Sequence, residues 1–185
     1  MKTPLFTLLF LAILISSCKK EESTPAAINL ISNYSFETPG HDSTFVGWTS
    51  TCFLPGPVDN PMAPLVMDAP VGGGSWSMQL WPSWFPGDGS GETIITGQSG
   101  NNVYHVGSWV KCYQWYGTVS LQQWRNGQKI SEKWVTDTTS SWTYVSFTDT
   151  LNTLPTDTLK VYLTAGATEV FYGWSRFDLV SLVKQ

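Results

Sequence analysis

Short runs of alternating apolar and polar residues dominate the chain from about residue 28 onwards. A period of two is typical of β-strands that bury one face, and no long segment has apolar residues at helical spacing. Clusters of Gly, Pro, Asn and Asp separate the runs, as turns require. The predicted strands are 28–37, 64–68, 75–81, 92–97, 103–115, 118–125, 129–135, 142–149, 158–165 and 170–183. This pattern predicts an all-β sandwich in one domain, residues 28–185.

The same alternation sorts side chains into inward and outward sets, and the segment RNGQ at 125–128 predicts a tight hairpin because Asn-Gly tolerates positive φ. The predicted inward set is Val106, Val110, Val119, Leu121, Val145, Phe147, Leu159, Val161 and Leu163. The predicted outward set is Trp109, Lys111, Tyr113, Trp115, Gln122, Trp124, Tyr144 and Tyr162. Several strands are therefore expected to contribute outward aromatic rings.

Residues 1–17 have the pattern of a lipoprotein signal peptide. A basic start precedes an apolar run that is too short for a permanent membrane span, and LISSC at its end resembles a lipobox, which would place lipid on Cys18. The alternative is an ordinary signal-peptidase site. Residues 18–27 would then be the lipidated cysteine and a polar tether.

The charged run KKEE behind Cys18 resembles the surface-export signal of lipoproteins in bacteria with two membranes, although it also fits a plain solvated tether. We expect an outer-membrane lipoprotein with its domain exposed, touching the membrane through its lipid anchor only. The net charge of −4 argues against nucleic acid as a partner. In an oxidising compartment Cys52 and Cys112 form either a disulfide or two buried free thiols.

Six segments, in this order, carry a resemblance to a known family: NLISNYSFETPG, GWTS, GGGSWSMQL, VYHVGSWVK, WTYVSFTDTL and FDLVSLV. They resemble the strand signatures of carbohydrate-binding modules with a galactose-binding-domain-like jelly-roll fold. The chain departs from that family at Tyr34, where glycine is frequent, and at Asp178, where two acids often stand. The resemblance implies one jelly-roll β-sandwich that binds saccharides.

The resemblance also implies a structural calcium ion held by Glu37 and Asp178, with backbone carbonyl groups of Gly73 or Ser75. The alternative is an isolated surface acid on each of two strands. Catalysis is not expected, because the chain has two histidines and no nucleophile, zinc or phosphate-loop motif. The acids Asp68, Asp88, Glu92, Glu132 and Glu169 show no spacing that singles out a catalytic pair.

Aromatic residues indicate two candidate ligand sites, because aromatic faces pack against the C–H faces of sugar rings. One is a sheet-face platform of Trp109, Tyr113, Trp124, Tyr144 and Tyr162, with Lys111 and Gln122 as hydrogen-bonding groups. The other is the segment LWPSWFP, with Trp81, Trp84 and Phe85 as rings and Asp88 or Glu92 as acceptors, unless that segment closes the end of the sandwich as a lid. Trp48, Trp76, Trp142 and Trp174 are predicted to pack in the core or at its ends.

The sequence thus predicts a noncatalytic cell-surface lipoprotein that binds a poly- or oligosaccharide by aromatic stacking. A protein-interaction or adhesion module of an envelope complex is the main alternative, and a glycoside-processing enzyme is a further one.

Overall fold

The computed structural model describes residues 27–38, 45–51, 65–81, 89–166 and 173–185. The described chain forms these strands: β1 (Thr49–Thr51), β2 (Leu65–Val66), β3 (Ser77–Leu80), β4 (Gly89–Ile95), β5 (Gly100–Tyr113), β6 (Tyr116–Arg125), β7 (Gln128–Asp137), β8 (Thr143–Thr153), β9 (Thr158–Gly166) and β10 (Trp174–Lys184). None of the described residues belongs to a helix that is long and apolar enough to span a membrane.

The strands form two antiparallel sheets of five. The β6 sheet has the order β1-β4-β9-β6-β7, and the β5 sheet has the order β2-β3-β10-β5-β8. Neighbouring strands are mostly not consecutive in sequence, as in a jelly roll. The predicted all-β sandwich is confirmed.

The core lies between the two sheets and consists of their inward-facing side chains. Val106, Val110, Val119, Leu121, Leu159, Val161 and Leu163 are all at most 1% exposed, as predicted. Val145 and Phe147 pack against this core but are only partly buried, because β8 is an edge strand. The period-two pattern therefore identified the buried face correctly on the central strands.

The predicted hairpin is present between β6 and β7. Asn126 and Gly127 have φ angles of 50° and 77°, which match a two-residue turn with positive φ at both positions. Register runs from Arg125 opposite Gln128 to Gly117 opposite Asp137, with one irregularity near Trp124. This hairpin fixes which residues of β6 and β7 share the outer face.

The predicted strand at 28–37 is wrong. Only an isolated bridge pairs Asn29 with Val183, and positive φ angles of 50° at Asn33 and 57° at Phe36 interrupt an extended path. Phe36 is nevertheless fully buried, with its ring 4.8 Å from that of Phe45 and 5.1 Å from that of Trp48. The alternation in this segment reflects a packed turn, and β1 follows it as a strand that the sequence did not predict.

Three tryptophans differ from their predicted positions. Trp115 is buried rather than outward-facing, because the β5–β6 connection turns at Gln114, with φ of 60°, and breaks the alternation. Trp142 and Trp174 are half-buried on the outer surface of the β5 sheet rather than in the core. Trp48 is buried, as predicted.

Candidate functional site

The predicted outward residues lie on two opposite surfaces, so the predicted single platform is wrong. Trp109, Lys111 and Tyr113 on β5 and Tyr144 on β8 belong to the outer face of the β5 sheet. The others, Gln122 and Trp124 on β6 and Tyr162 on β9, belong to the outer face of the β6 sheet. Alternation shows which side of its own sheet a residue occupies, but not which sheet its strand joins.

The outer face of the β6 sheet has two open depressions, which lie one after the other along β6 and β9. The depression toward the start of β6 has a volume of about 340 Å³, and the one toward its end about 520 Å³. The first depression is lined by Tyr116, Thr118, Ser120, Glu132, Trp134, Thr136, Tyr162 and Thr164. The second depression is lined by Ile94, Trp124, Asn126, Gly127, Thr156, Thr158 and Lys160. We refer to these two depressions together as the groove.

Aromatic rings form the walls of the groove around a small buried residue. Ser120 is opposite Trp134 on β7 and opposite Tyr162 on β9, so these two aromatic residues lie about 10 Å apart across two strand spacings. Trp134 is 61% exposed. Trp134 is not among the predicted site residues, although it alternates with the inward-packed Val135 on a predicted strand.

The indole of Trp124 is fixed by neighbouring polar groups. Its Nε1–H donates to Gln122 Oε1 at 2.9 Å, and Gln122 Nε2 donates to Glu132 Oε1 at 2.7 Å. Lys160 Nζ lies 4.9 Å from the centre of the Trp124 ring, a cation–π distance. Gln122 itself is only 6% exposed, so it orients Trp124 and Glu132 and offers little surface of its own.

The charged groups of the groove occur in ion pairs. Lys160 Nζ lies 3.0 and 3.2 Å from the two carboxylate oxygens of Glu92, and Lys129 pairs with Glu132. Burial tends to raise the pKa of Glu132, but hydrogen bonds from Lys129 and Gln122 outweigh it, so this pKa is lowered. Each pair combines one positive and one negative charge, so this face has no excess charge from these four groups. The pairs hold hydrogen-bond donors and acceptors in place beside the aromatic rings.

The outer face of the β5 sheet carries a second aromatic surface, which we call the patch. In register, Trp174 is opposite Tyr113, Arg176 is opposite Lys111, and Trp109 is opposite Tyr144. The rings of Tyr113 and Trp174 stack with centroids 5.9 Å apart, and those of Trp109 and Tyr144 are also 5.9 Å apart. The Arg176 guanidinium lies 3.9 Å from the Trp174 ring centre.

The Asp68 carboxylate lies at the centre of the patch and connects its charged and aromatic side chains through hydrogen bonds. Its carboxylate accepts hydrogen bonds from Lys111 Nζ at 2.9 Å, from Trp142 Nε1 at 3.2 Å and from Arg176 Nη1. Burial tends to raise the pKa of Asp68, but these three donors outweigh it and lower the pKa. In the sequence Asp68 stands out only as one of several possible catalytic acids, because its partners come from segments that are far from it in the chain.

The residues predicted around LWPSWFP are only partly covered by the structure. Trp81 is half-buried and follows Leu80, which is opposite Ser175, so Trp81 lies at the Trp174 end of the patch. Glu92 lies on β4 opposite Tyr162, beside the groove. The other members, Trp84, Phe85 and Asp88, lie outside the described residues, and the loop site stays a prediction.

The predicted calcium ligands Glu37 and Asp178 lie beside consecutive glycines. A Cβ on Gly73 would be 2.1 Å from Asp178 Oδ2, and a Cβ on Gly74 would be 2.7 Å from Glu37 Oε1. Glu37 Oε1 accepts hydrogen bonds from the Ser75 amide at 2.9 Å and the Trp76 amide at 2.7 Å. The loop before β3 thus brings together two carboxylates that are far apart in the sequence.

The carboxyl group of Asp178 is buried close to a second acid, and its negative charge is poorly compensated. Burial, opposed by the Leu179 amide and reinforced by the charge of Glu37, raises the pKa of Asp178 to about 8. Its Oδ2 is buried and has no hydrogen-bond partner among the described residues. No group of three or more His, Cys, Asp or Glu side chains in the described ranges could hold a metal, so main-chain oxygens would have to complete the site.

Cys112 is buried and pairs with no cysteine in the described part of the chain, and its Sγ lies 3.4 Å from the Asp137 carbonyl oxygen. Burial raises its pKa. The predicted partner Cys52 lies outside the described residues, as does Cys18, so the disulfide and the lipidation stay predictions.

No family model and no curated protein matches the chain. Solved structures with the same fold include TmCBM61 in complex with β-1,4-galactotriose, at 18% identity and a TM-score of 0.55, over 86% of this chain and 100% of that chain. They also include CBM4, at 16% identity and a TM-score of 0.52, over 84% of this chain and 99% of that one. The Stig cyclase Fisc from Fischerella sp. TAU matches at 12% identity and a TM-score of 0.53, over 86% of this chain and 98% of that chain.

At these low identities the matches show the fold alone. The matched structures include carbohydrate-binding modules and an enzyme. The jelly-roll fold therefore does not decide between binding and catalysis, and the function has to be argued from the side chains of this chain.

Proposed function

We propose that the protein is a noncatalytic carbohydrate-binding protein that holds a poly- or oligosaccharide chain in the groove. The observation that carries this proposal is the open depression between Trp134 and Tyr162, with a second depression beside the fixed ring of Trp124 on the same sheet face. Its lining combines aromatic rings with hydroxyl, amide and charged side chains, which suits a ligand that has both C–H faces and hydroxyl groups.

The groove suits a sugar chain because it combines rings with oriented polar groups. A pyranose ring offers a C–H face to an aromatic ring, while its hydroxyl groups need donors and acceptors at the edge. Lys160, Glu92 and Glu132 provide these groups beside Trp124, and their ion pairs hold them in place before a ligand binds. Little side-chain entropy would then be lost on binding.

Binding without catalysis fits the ionisation of the groove. A glycosidase needs one carboxyl group with a raised pKa as general acid, facing a second carboxylate. The pKa of Glu132 is lowered, so this group stays ionised at neutral pH. Among the described residues, the carboxyl group whose pKa is raised is that of Asp178. This group is fully buried beside Gly73, so a substrate cannot reach it.

A calcium ion held by Glu37 and Asp178 is part of the proposal as a structural element. Calcium would neutralise two neighbouring carboxylates, and it would tie the N-terminal segment and the loop before β3 to β10. Gly73 and Ser75 are the proposed sources of main-chain carbonyl ligands.

The proposal places this domain outside the outer membrane, anchored by lipid on Cys18. It rests on the signal-like segment 1–17 and the tether 18–27. Mass spectrometry of the purified protein tests it, because a diacylated or triacylated Cys18 would be the N-terminal residue.

The groove is tested by titrating a panel of neutral polysaccharides into the purified protein and into a Trp134→Ala variant. We expect one class of glycan to bind, and we expect the variant to weaken binding about tenfold or more, because a central exposed tryptophan is a typical hot spot. Tyr34→Ala is the matched control, since Tyr34 is 44% exposed and lies outside the groove and the patch.

Three results would contradict the proposal or a part of it. Binding that Trp134→Ala leaves unchanged would exclude the groove as the site. Absence of binding to every glycan, together with capture of an envelope protein that is lost in Trp134→Ala, would assign the groove to a protein partner. Release of sugar during long incubation would contradict the noncatalytic assignment.

A further inference from the structure

The two outer faces of the sandwich differ in their charge. In the groove, Glu92 and Glu132 balance Lys160 and Lys129. In the patch, Lys111 and Arg176 share the single carboxylate of Asp68, which leaves one positive charge in excess. This excess stands out in a chain whose net charge is −4.

The cations of the patch retain hydrogen-bonding capacity. Arg176 donates to Asp68 through Nη1 and to Gln79 Oε1 through Nε at 2.7 Å, and a guanidinium has five N–H donors in total. Lys111 donates to Asp68 and has three N–H donors. Their side chains are 17% and 25% exposed, so both remain accessible to a ligand.

Two tyrosines beside these cations expose one face of their rings. Tyr113 is 49% exposed and packs its other face on Trp174. Tyr144 is 45% exposed and lies across Gly107, where a Cβ would be 2.0 Å from the Tyr144 hydroxyl oxygen. The ring of Tyr144 rests against the sheet because Gly107 has no side chain.

The cations and the rings are spaced along the strands at regular intervals. Trp109, Lys111 and Tyr113 are alternate residues of β5, so successive members of this row are about 7 Å apart. Lys111 therefore stands between the Tyr113 stack and the Trp109–Tyr144 pair, with Arg176 opposite it on β10. A flat ring on either tyrosine would have a cation at its edge.

We propose that the patch is a second carbohydrate-binding site, independent of the groove, which takes chains that contain uronic acids. The ring of such a sugar would stack on Tyr113 or Tyr144, and its carboxylate would accept hydrogen bonds from Lys111 and Arg176. Charge complementarity favours this ligand over a neutral chain. The overall negative charge and the central Asp68 disfavour densely charged polyanions such as nucleic acids.

The experiment compares polygalacturonic acid with the same polymer after chemical reduction of its carboxyl groups. The reduced polymer keeps the sugar rings and loses the charge. Affinities are measured for the purified protein and for three variants, namely Lys111→Gln, Lys111→Arg and Lys184→Gln. The last is a matched control, because Lys184 is an exposed lysine at the end of β10 and its loss changes the net charge equally.

We expect the acidic polymer to bind more tightly than its reduced form, and added salt to weaken this binding. Lys111→Gln is expected to lower the affinity for the acidic polymer about tenfold, because it removes a charged hydrogen-bond donor to the sugar carboxylate. Lys111→Arg should restore most of the affinity. Lys184→Gln should change it by less than about twofold, because a single distant charge is screened at physiological salt.

Equal binding of the two polymers would overturn the proposal, as would equal losses in Lys111→Gln and Lys184→Gln or absence of binding to the acidic polymer. An incorrect assignment of the groove as a glycan-binding site is detected separately, because that assignment is tested with neutral glycans and Trp134→Ala. Loss of binding to both polymers in Trp134→Ala would also contradict a separate second site.

Discussion

Replacing Asp178 by asparagine is expected to change stability in opposite directions at acid and alkaline pH. Asp178 is fully buried, and its pKa rises from 3.8 to about 8 in the folded protein. Between these two values the calcium-free folded state holds a proton that the unfolded state has lost. Stability must therefore fall as pH rises from about 4 to about 8.

The size of this effect follows from the shift. About four pKa units at 1.36 kcal/mol each correspond to a loss on the order of 5 kcal/mol across the window. Asparagine does not ionise, so the free energy of unfolding of the variant does not decrease in this way. Its amide group replaces the unpaired Oδ2 and leaves buried N–H donors unsatisfied, which costs about 1–3 kcal/mol at every pH. Without calcium, the variant should be less stable than the wild type near pH 4.5 and more stable above about pH 7.

The assay is urea unfolding followed by tryptophan fluorescence from pH 4.5 to 8.5, first with EDTA and then with calcium. Calcium should stabilise the wild type strongly at pH 8 and leave Asp178→Asn unchanged, because binding to the folded state alone shifts the unfolding equilibrium. Asp149→Asn is the control, since Asp149 is a half-exposed aspartate on β8, and its loss should change stability by less than about 0.5 kcal/mol.

Two results would refute the reasoning about Asp178. A stability difference between wild type and Asp178→Asn that stays constant across this pH range would show that the folded carboxyl group titrates normally. Equal stabilisation of both proteins by calcium would show that the ion binds elsewhere.

Two further substitutions test the fold and the groove. Hydrogen bonds from Arg125 hold the pKa of Asp157 well below its usual value of 3.8. The ionised Asp157 therefore stabilises the fold at neutral pH, and this contribution is lost as the pH falls below about 4. Asp157→Asn should therefore lower the urea midpoint of unfolding at pH 7, and the gap between the midpoints of variant and wild type should narrow as the pH falls. A gap that stays constant with pH would contradict this account. Gln122→Ala removes the acceptor of the Trp124 indole and should weaken glycan binding roughly threefold to tenfold, while the exposed Gln128→Ala has no effect. Isothermal titration calorimetry measures the glycan affinities of the two glutamine variants. If Gln122→Ala binds as tightly as the wild type, the hydrogen bond from Gln122 to the Trp124 indole does not contribute to binding.

Local patterns in the sequence were sufficient for the central strands and for their buried faces. Leu159, Val161 and Leu163 alternate along β9, and each is fully buried as the period of two requires. Asn126 and Gly127 likewise specify their turn through their own backbone preferences. In the 28–37 segment the same alternation misled, because positive φ at Asn33 and Phe36 turns the chain while its apolar residues still pack.

The composition of each outer face was decided only by the tertiary structure. Tyr113 ends β5 and Tyr116 begins β6, yet the chain passes from one sheet to the other between them. This crossing divides the predicted platform into a patch and a groove. The tertiary structure also brings Trp142 to Asp68 and Trp174 to Arg176. Strand pairing uses backbone hydrogen bonds that every residue offers, so the sequence of one strand does not name its neighbour. That choice depends on how all ten described strands close over one common core.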